Sequence, residues 1–403
     1  METLTQHLNI DSKYFLTIIE HLRANGGQAR IVGGAVRDAL VGIANSDVDI
    51  ATDLEPQQVI DALVSHKIKV IPTGIRFGTV TAIIKGESFE ITTLREDLSC
   101  NGRHAKVKYS HDFMQDAARR DFTINALSYC PTTHVIYDYF DGIKDLQAGR
   151  VVFIGDANAR IAEDHLRILR FFRFSCRYAK MIDKNSLEAC IGAKGSLNKL
   201  SRERIKSEMD ALLNLQKSPS ILSVMFEAGI LQKIFPITNY DEQMHLRALK
   251  LADIFCIKPK LVLLYSLLFL QVHEVSINQL VNLKFSRVES KFIVKLLELK
   301  EFDDPELLAT KLKNIWLEDA SYLQYFIFAS AIMTDNGFIQ NLYNKLKARV
   351  RPAFPVNGKD LISLGYSGKK VGSLLELLKR KWLESDFSLG KTALINLVKN
   401  SEK

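Results

Sequence analysis

The chain is 403 residues long, with 47% hydrophobic and 25% charged residues and a formal net charge of +8. That length supports two or more domains with sizeable cores, and the mix is that of an ordinary globular protein rather than a disordered or fibrous one. The positive balance favours a polyanionic partner without identifying it. Five cysteines, at 100, 130, 176, 190 and 256, show no C-x-x-C pairing, which argues against a zinc site or a disulfide-linked partner and fits a reducing cytoplasm. No signal peptide is visible at the N-terminus, and the most apolar run, Leu261 to Val272, is too short to span a bilayer.

Residues 1–155 mix short strand-like and helical runs. RIVGG, KVIPTG, GTVTAIIKG and SFEITTL are rich in Val, Ile and Thr and closed by glycine or turn residues, the pattern of short β-strands. GTVTAIIKGESFEITTL predicts a hairpin turning at Lys85-Gly86-Glu87, and Gly42 sits where a helix through ALV would end. From about Ala157 the strand signal stops. Helical patterns cover Arg160–Tyr178, Arg202–Leu215 and Ile221–Leu231, then Leu- and Lys-rich amphipathic stretches to the end. The fold class expected is therefore α+β, with a mixed head followed by an all-α remainder.

Three segments carry chemistry. In IVGGAVRDALVGIANSDVDIAT, a strand ends at Gly33-Gly34 and runs into a helix. Glycines permit close approach and a helix N-terminus favours anions, so a polyphosphate suits this place, with Arg37 adding a charge-assisted bond. Asp47 and Asp49 then alternate along a strand, so both carboxylates project on one face while Val48 packs behind. Two adjacent carboxylates repel unless a cation neutralises them, and oxygen ligands select Mg²⁺ or Mn²⁺. A D-x-D pair alone is usually a solvated turn; the Gly-Gly-x-x-Arg element upstream changes that balance. An isolated Glu90 in the SFEITTL strand would ordinarily be solvent-exposed.

The second segment, AARRDFTINAL, offers Arg120 and Asp121 for phosphate or ribose contact, or Asp121 as a plain helix cap. The third, ARIAEDHLRILRFFRF, repeats Asp164, Arg167, Arg170 and Arg173 every three residues on one face of a helix, with Ile168, Leu169, Phe171, Phe172 and Phe174 opposite. Such stripes are mostly solvated ion pairs. A carboxylate beside a guanidinium nevertheless matches the amine and ring-nitrogen edge that cytosine and adenine share and that uracil and guanine lack. Two further segments look like motifs and are not. LGKT at 389–392 lacks the first P-loop glycine, Ser385 standing in its place, and His111-Asp112 has no accompanying His/Asp pattern.

Taken in order, GGAVRDALVG with DVD, TGIRFGTVT, FEITTLR, GRHAKVKY, ARRDFTINAL, DGIKDLQAG and ARIAEDHLRILRFFRF resemble a class II, bacterial-type CCA-adding tRNA nucleotidyltransferase. That family has a polymerase-beta-like nucleotidyltransferase head. The detailed likeness covers about residues 28–178, with a weaker one in SRERIKSEMDALL and in VNGKDLISLGYSGKKVG. The resemblance implies a head at 1–155, a helical neck at 156–220 that reads the base, a body at 221–330 and a tail at 331–403. The last three would hold the acceptor and T arms of tRNA. It implies Mg²⁺ at Asp47 and Asp49 with Glu90 in support. Gly33, Gly34, Arg37, Arg120, Asp121 and Asn125 would lie about the nucleotide, CTP or ATP, with Asp164 and Arg167 as the protein template and Arg170 and Arg173 nearby. Residues 97–109 would form a flexible loop that switches the site from C to A.

The chain departs from the family pattern at Ala44-Asn45-Ser46 and at Lys369, where proline is more usual. Related readings are a CC-adding or A-adding enzyme and a bacterial poly(A) polymerase, the last disfavoured by TGIRFGTVT and by the absence of a long basic extension. From another class, a catalytically silent RNA-binding protein would retain the fold without the metal carboxylates.

Overall fold

The computed structural model describes residues 2–10, 14–44, 47–101, 104–302, 304–319, 321–333 and 336–400. They fall into two compact units, 1–235 and 236–403.

The first unit is built on a sheet. Its strands are β1 (Glu2–Thr5), β2 (Ala29–Val32), β3 (Asp49–Thr52), β4 (Lys69–Gly74), β5 (Thr79–Ile84) and β6 (Glu87–Thr93), with β7 (Arg95–Asn101) and β8 (His104–Tyr109) forming a separate ribbon, and β9 (Ser128–Cys130) and β10 (Val135–Asp138) returning to the sheet. The order is β1-β10-β9-β2-β3-β6-β5-β4. Only β3 and β6 run parallel, because helix α3 and the β4–β5 hairpin carry the chain across between them. The expected β5–β6 hairpin is present, with Ile84 opposite Glu87 and both loop residues, Lys85 (φ 51°) and Gly86 (φ 90°), at positive φ. That is the tight two-residue turn whose twist matches paired strands.

Helices α1 (Tyr14–Ala24) and α3 (Pro56–Val64) cover one face of the sheet. Ile18, Ile19, Leu22, Val59 and Leu63 pack there against Ile31, Ile50, Val80, Phe89 and Ile91, all buried. Helix α2 (Gly34–Leu40) leaves the end of β2 and stops before Gly42, at φ 69°. Helix α4 (Phe113–Ala118) is capped by Asp112, whose carboxylate accepts from the Met114 N–H at 2.8 Å. His111-Asp112 is thus a helix start.

Helix α5 (Gly142–Ala148) is followed by α6 (Ala157–Glu163) and α7 (Arg167–Tyr178). The single helix expected over 160–178 is broken at Asp164, which is extended at φ −151° and ψ 106°. Its carboxylate accepts from the Leu166 N–H at 3.1 Å, a local bond that competes with the helical ladder. The apolar face of α7 packs as expected: Ile168, Leu169, Phe171, Phe172 and Phe174 are buried, and Phe171 and Phe174 close on Phe153 and Phe122 with ring centroids 5.9 and 5.4 Å apart. Helices α8 (Lys184–Ala193), α9 (Arg202–Leu213), α10 (Ser218–Glu227) and α11 (Leu231–Ile234) complete the unit.

The second unit is helical: α12 (Glu242–Ile254), α13 (Leu261–Leu268), α14 (Ile277–Asn282), α15 (Arg287–Leu297), α16 (Pro305–Glu318), α17 (Tyr322–Ile332), α18 (Asn336–Lys347), α19 (Gly358–Ile362), α20 (Lys369–Glu384) and α21 (Lys391–Asn400). The apolar run at 261–272 is a buried helix, with Val262 to Leu268 out of solvent. A smaller core gathers Leu361, Leu378, Trp382 and Leu394. Lys391, of the LGKT run, opens α21 and pairs with Asp360 at 2.6 Å. No helix among the described residues is long and apolar enough to cross a membrane. Junctions expected at 220 and 330 fall inside α10 and α17, so neither is a boundary between elements.

His245, on α12, is 1% exposed and donates from Nε2 to the Leu264 carbonyl at 3.0 Å. Burial lowers its pKa to about 4. Between there and the ordinary value near 6.5, only the unfolded chain binds the proton, so stability present above about pH 6.5 is lost as pH falls towards 4. The loss approaches roughly 3 kcal/mol. Urea midpoints of the protein and of His245→Gln between pH 7 and 4 check this: the variant should start lower and fall less steeply, and parallel curves would refute the assignment.

Candidate active site

A cavity of about 660 Å³ opens in the first unit, lined by Gly33, Gly34, Arg37, Asp38, Asp47, Asp49, Arg119, Arg120, Asp121, Asn125, Asp164, Arg167, Arg170, Arg173, Phe174 and Arg177. Residues far apart in the chain converge here because β2, β3, the turn after α4 and helix α7 all end or pass at one place. Of the residues singled out from the sequence, only Glu90 is not among this lining. It stands on β6 directly opposite Asp49 in the parallel register.

Asp49 opens β3 and Asp47 precedes the strand, with Val48 buried between them. Asn45 and Ser46 lie outside the described residues. The Asp49 carboxyl is raised to about 6, first by desolvation and then by Glu90 and Asp47, against the opposing pull of Arg120. Its side chain is open to the cavity, which limits the share burial can contribute and gives weight to the two like charges. Among the described residues no three His, Cys, Asp or Glu side chains converge as a preformed metal cage. One or two carboxylates with substrate phosphates completing the shell is how Mg²⁺ is usually held, and the mutual repulsion of this donor set fits a cation.

Gly33 has φ 68° and ψ −121°, a conformation for glycine alone. A Cβ there would lie 2.7 Å from Arg120 Nη1. The close approach that the glycine permits is therefore that of an arginine. The Gly33 N–H donates to the Leu127 carbonyl at 3.0 Å. Arg37 is buried; it donates from Nε to Asp38 at 2.9 Å and from Nη1 to Asn125 Oδ1, and its guanidinium lies over the Tyr178 ring at 4.4 Å.

Asp121 is neither a helix cap nor a free ligand. One oxygen accepts from the Phe122 N–H at 2.9 Å and from Asn125 Nδ2 at 2.8 Å; the other accepts from Arg170 Nε at 2.7 Å. Burial opposes its charge, but Arg170 and these hydrogen bonds outweigh it and hold the carboxyl below its usual range. Glu208, on α9, binds Arg173 at 2.6 Å and Arg170 at 3.7 Å. Arg119 and Arg120 share Asp116, at 2.7 and 3.2 Å.

Asp164 and Arg167 both face the cavity, each already engaged. Asp164 Oδ2 accepts from Arg204 at 2.6 Å. Arg167 pairs with Glu163 at 2.5 Å and donates to the Arg160 and Arg119 carbonyls, both at 2.9 Å. The break before α7 brings them together, where one continuous helix had been expected to do so. Arg119, Asp38 and Arg177 also line the cavity and were not named from the sequence, and Phe174, expected on the apolar face opposite the charged stripe, lines it too. Arg119 and Arg177 extend the basic runs ARRD and RFFRFSCR, so charge spacing held that signal. Of residues 97–109, expected as a flexible loop, 97–101 and 104–109 belong to the strands of the β7–β8 ribbon, with Arg95 opposite Tyr109. Gly102 and Arg103, and the Cys100 side chain, lie outside the described residues. Cys130, Cys176, Cys190 and Cys256 are free thiols.

The CCA tRNA nucleotidyltransferase 1, mitochondrial, of Danio rerio is 33% identical over 402 residues, spanning 95% of this chain and 90% of its own. The chain belongs to the CCA-adding tRNA nucleotidyltransferase family. Residues 29–152 match the Poly A polymerase head domain, and 181–241 the family described as a probable RNA and SrmB-binding site of polymerase A. The CCA-adding enzyme of Ligilactobacillus salivarius is 29% identical over 413 residues, covering 98% of both chains. In fold, the CCA-adding enzyme of Bacillus stearothermophilus, solved in complex with CTP, superimposes with a TM-score of 0.72 at 24% identity, over 96% of this chain and 98% of that one. The α+β architecture is thus that of the family.

Replacing Glu90 by Gln removes a like charge facing Asp49. The Asp49 carboxyl should then titrate below about 6, read from its carboxyl-carbon chemical shift against pH in metal-free protein. An unmoved titration would mean that Glu90 does not act on Asp49.

Proposed function

We propose that this protein adds C, C and A to the 3′ end of tRNA from CTP and ATP, selecting each base with protein side chains. One observation carries the reading. The same cavity is lined by Asp47 and Asp49 and by Asp164 and Arg167, in a chain that aligns almost end to end with CCA-adding relatives.

In the reaction the primer 3′-oxygen bonds to the α-phosphorus, the α–β phosphoanhydride bond breaks, pyrophosphate leaves, and the hydroxyl proton is released. Asp47 and Asp49, supported by Glu90, would hold Mg²⁺, which supplies charge neutralisation at the transferring phosphate. The seven arginines among the lining residues, against five aspartates, give the cavity the charge to take a triphosphate. Arg37, Arg120 and Arg173 are the phosphate-side candidates. Gly34 opens α2 at the cavity wall. Asp121 and Asn125 act by position, holding Arg170 and Arg37.

An incoming cytosine or adenine presents a donor amine to Asp164 and an acceptor nitrogen to Arg167. Uracil and guanine present the reverse, leaving buried groups unpaired, which discriminates by about 1–3 kcal/mol. Arg204 and Glu163 pair with Asp164 and Arg167, so an incoming base competes with two ion pairs. The cytoplasm is the compartment proposed, on cysteine usage.

Asp47→Ala and Asp49→Ala should each lower nucleotide incorporation by about 10³-fold or more while the protein stays folded; near-normal turnover in either would displace the site. Asp164→Ala is the sharper test. Incorporation of each of the four nucleotides into tRNA lacking its last residues should show CTP and ATP use falling and the margin over UTP and GTP narrowing. Uniform loss with unchanged ratios would make the α6–α7 segment merely structural. Supplying tRNAs truncated at three successive positions with CTP or ATP alone separates full CCA addition from CC or A addition.

A further inference from the structure

Arg37, 6% exposed, lines the catalytic cavity from helix α2. Asp38 follows it on the same helix, 2% exposed, and its carboxylate gathers donors from two helices. Oδ1 accepts from Arg37 Nε at 2.9 Å and from the Tyr178 hydroxyl at 2.5 Å, while Arg177 pairs with Oδ2 at 3.6 Å. Arg177 and Tyr178 close helix α7, and Tyr178 is 140 positions from Asp38 in the chain. One buried aspartate thus ties the last turn of α7 to α2.

That contact acts on Arg37 in two ways. The tyrosine hydroxyl shares Oδ1 with Arg37 Nε, which fixes where that oxygen stands. The Arg37 guanidinium also lies 4.4 Å over the Tyr178 ring, which stacks on Phe174 with centroids 6.0 Å apart. An aromatic face attracts a guanidinium and sets its plane. Asn125 Oδ1 takes the proton of Nη1, so two hydrogen bonds and a ring fix the orientation of the fork. Burial raises the Tyr178 hydroxyl well above its ordinary range, with Asp38 adding to the shift and Arg37 opposing it. It therefore stays a donor across the neutral range. Tyr178 itself stands outside the lining of the cavity.

We propose that Tyr178 is a positioning residue for nucleotide binding: through Asp38 and its own ring it presents the Arg37 guanidinium to the triphosphate. The inference rests on the proposed function and adds a side chain that acts without touching substrate. Recognition of phosphate by arginine depends on the direction of its planar fork, and a displacement of about 1 Å can cost about 100-fold. CTP and ATP carry the same triphosphate, so this clamp serves both nucleotides alike and stands apart from the choice of base.

The test is steady-state kinetics of the full chain with Tyr178→Phe, which removes the bond to Asp38 and keeps the ring, and Tyr178→Leu, which removes both. KM for CTP and for ATP should rise together, about three-fold in the first variant and about ten-fold or more in the second. The primer KM and the ratio of CTP to UTP incorporation should stay within about two-fold. Loss of folded protein would instead lower kcat with every substrate and move no KM. Inorganic pyrophosphate, titrated calorimetrically with Mg²⁺ present, should bind Tyr178→Leu about ten-fold more weakly than the unmodified protein. An unmoved nucleotide KM, an unmoved pyrophosphate affinity or a primer KM that rises equally overturns the proposal. If Tyr178→Leu does not fold, Tyr178→Phe decides on the same readings. If the unmodified protein incorporates neither CTP nor ATP, the proposed function fails. The pyrophosphate titration then decides the clamp alone, equal affinity in both proteins or binding to neither overturning it.

Discussion

The site depends on one ion pair, buried Asp121 with half-buried Arg170. Asp121 lies in the turn after α4; Arg170 lies one turn into α7. Their contact ties that turn to the helix that carries Arg167, Arg170 and Arg173. Such a pair does little for net stability, because taking Asp121 out of water costs nearly what its attraction to Arg170 returns. Its effect is on geometry: without Arg170 the buried Asp121 would lose its neutralising cation, so the two segments have one low-energy way to meet. Asn125 extends the constraint to Arg37, and Glu208 extends it to Arg173. The cavity wall is one lattice of arginines with shared carboxylates, each held at a defined place before any phosphate arrives, which is the preorganisation electrostatic catalysis needs.

A different condition holds at the carboxylates. Glu90 and Asp47 raise the Asp49 carboxyl, and Arg120 opposes them only in part. The parallel pairing of β3 with β6 is what sets Asp49 beside Glu90. Arginines paired with carboxylates and carboxylates that repel one another divide the work: the first position, the second recruit positive charge.

How much of this could be read beforehand varied with the range of the interaction. The D-x-D pair, the Gly-Gly turn, the Lys85-Gly86 hairpin and the apolar face of α7 were legible because local spacing decides them. The helix break at Asp164 was not: its cause is a side chain capping its own backbone, and Asp164 falls in the same three-residue rhythm as the arginines after it. Arg204 and Glu163, which hold the base-reading pair, reveal themselves only when α9 and α6 are in place. The β7–β8 ribbon stands where the family resemblance implied a flexible loop. Gly33 was read as making room for a phosphate, yet the atom it makes room for belongs to Arg120, eighty-odd positions downstream.

The division after Phe235 has a bearing on biosynthesis. Every strand of the sheet, every cavity residue and the helices that pack on them are encoded before that point. The sheet itself cannot be completed early, because β1 pairs with β10 and must wait for Asp138 to leave the ribosome. Once residue 235 has emerged, nothing the catalytic unit needs for its own core is missing. Translation of the remaining helices takes on the order of ten seconds at roughly 5–20 residues per second. Vectorial synthesis thus gives the slow, long-range strand pairing a head start over the local helical packing that follows, so the part with the most demanding topology is released first.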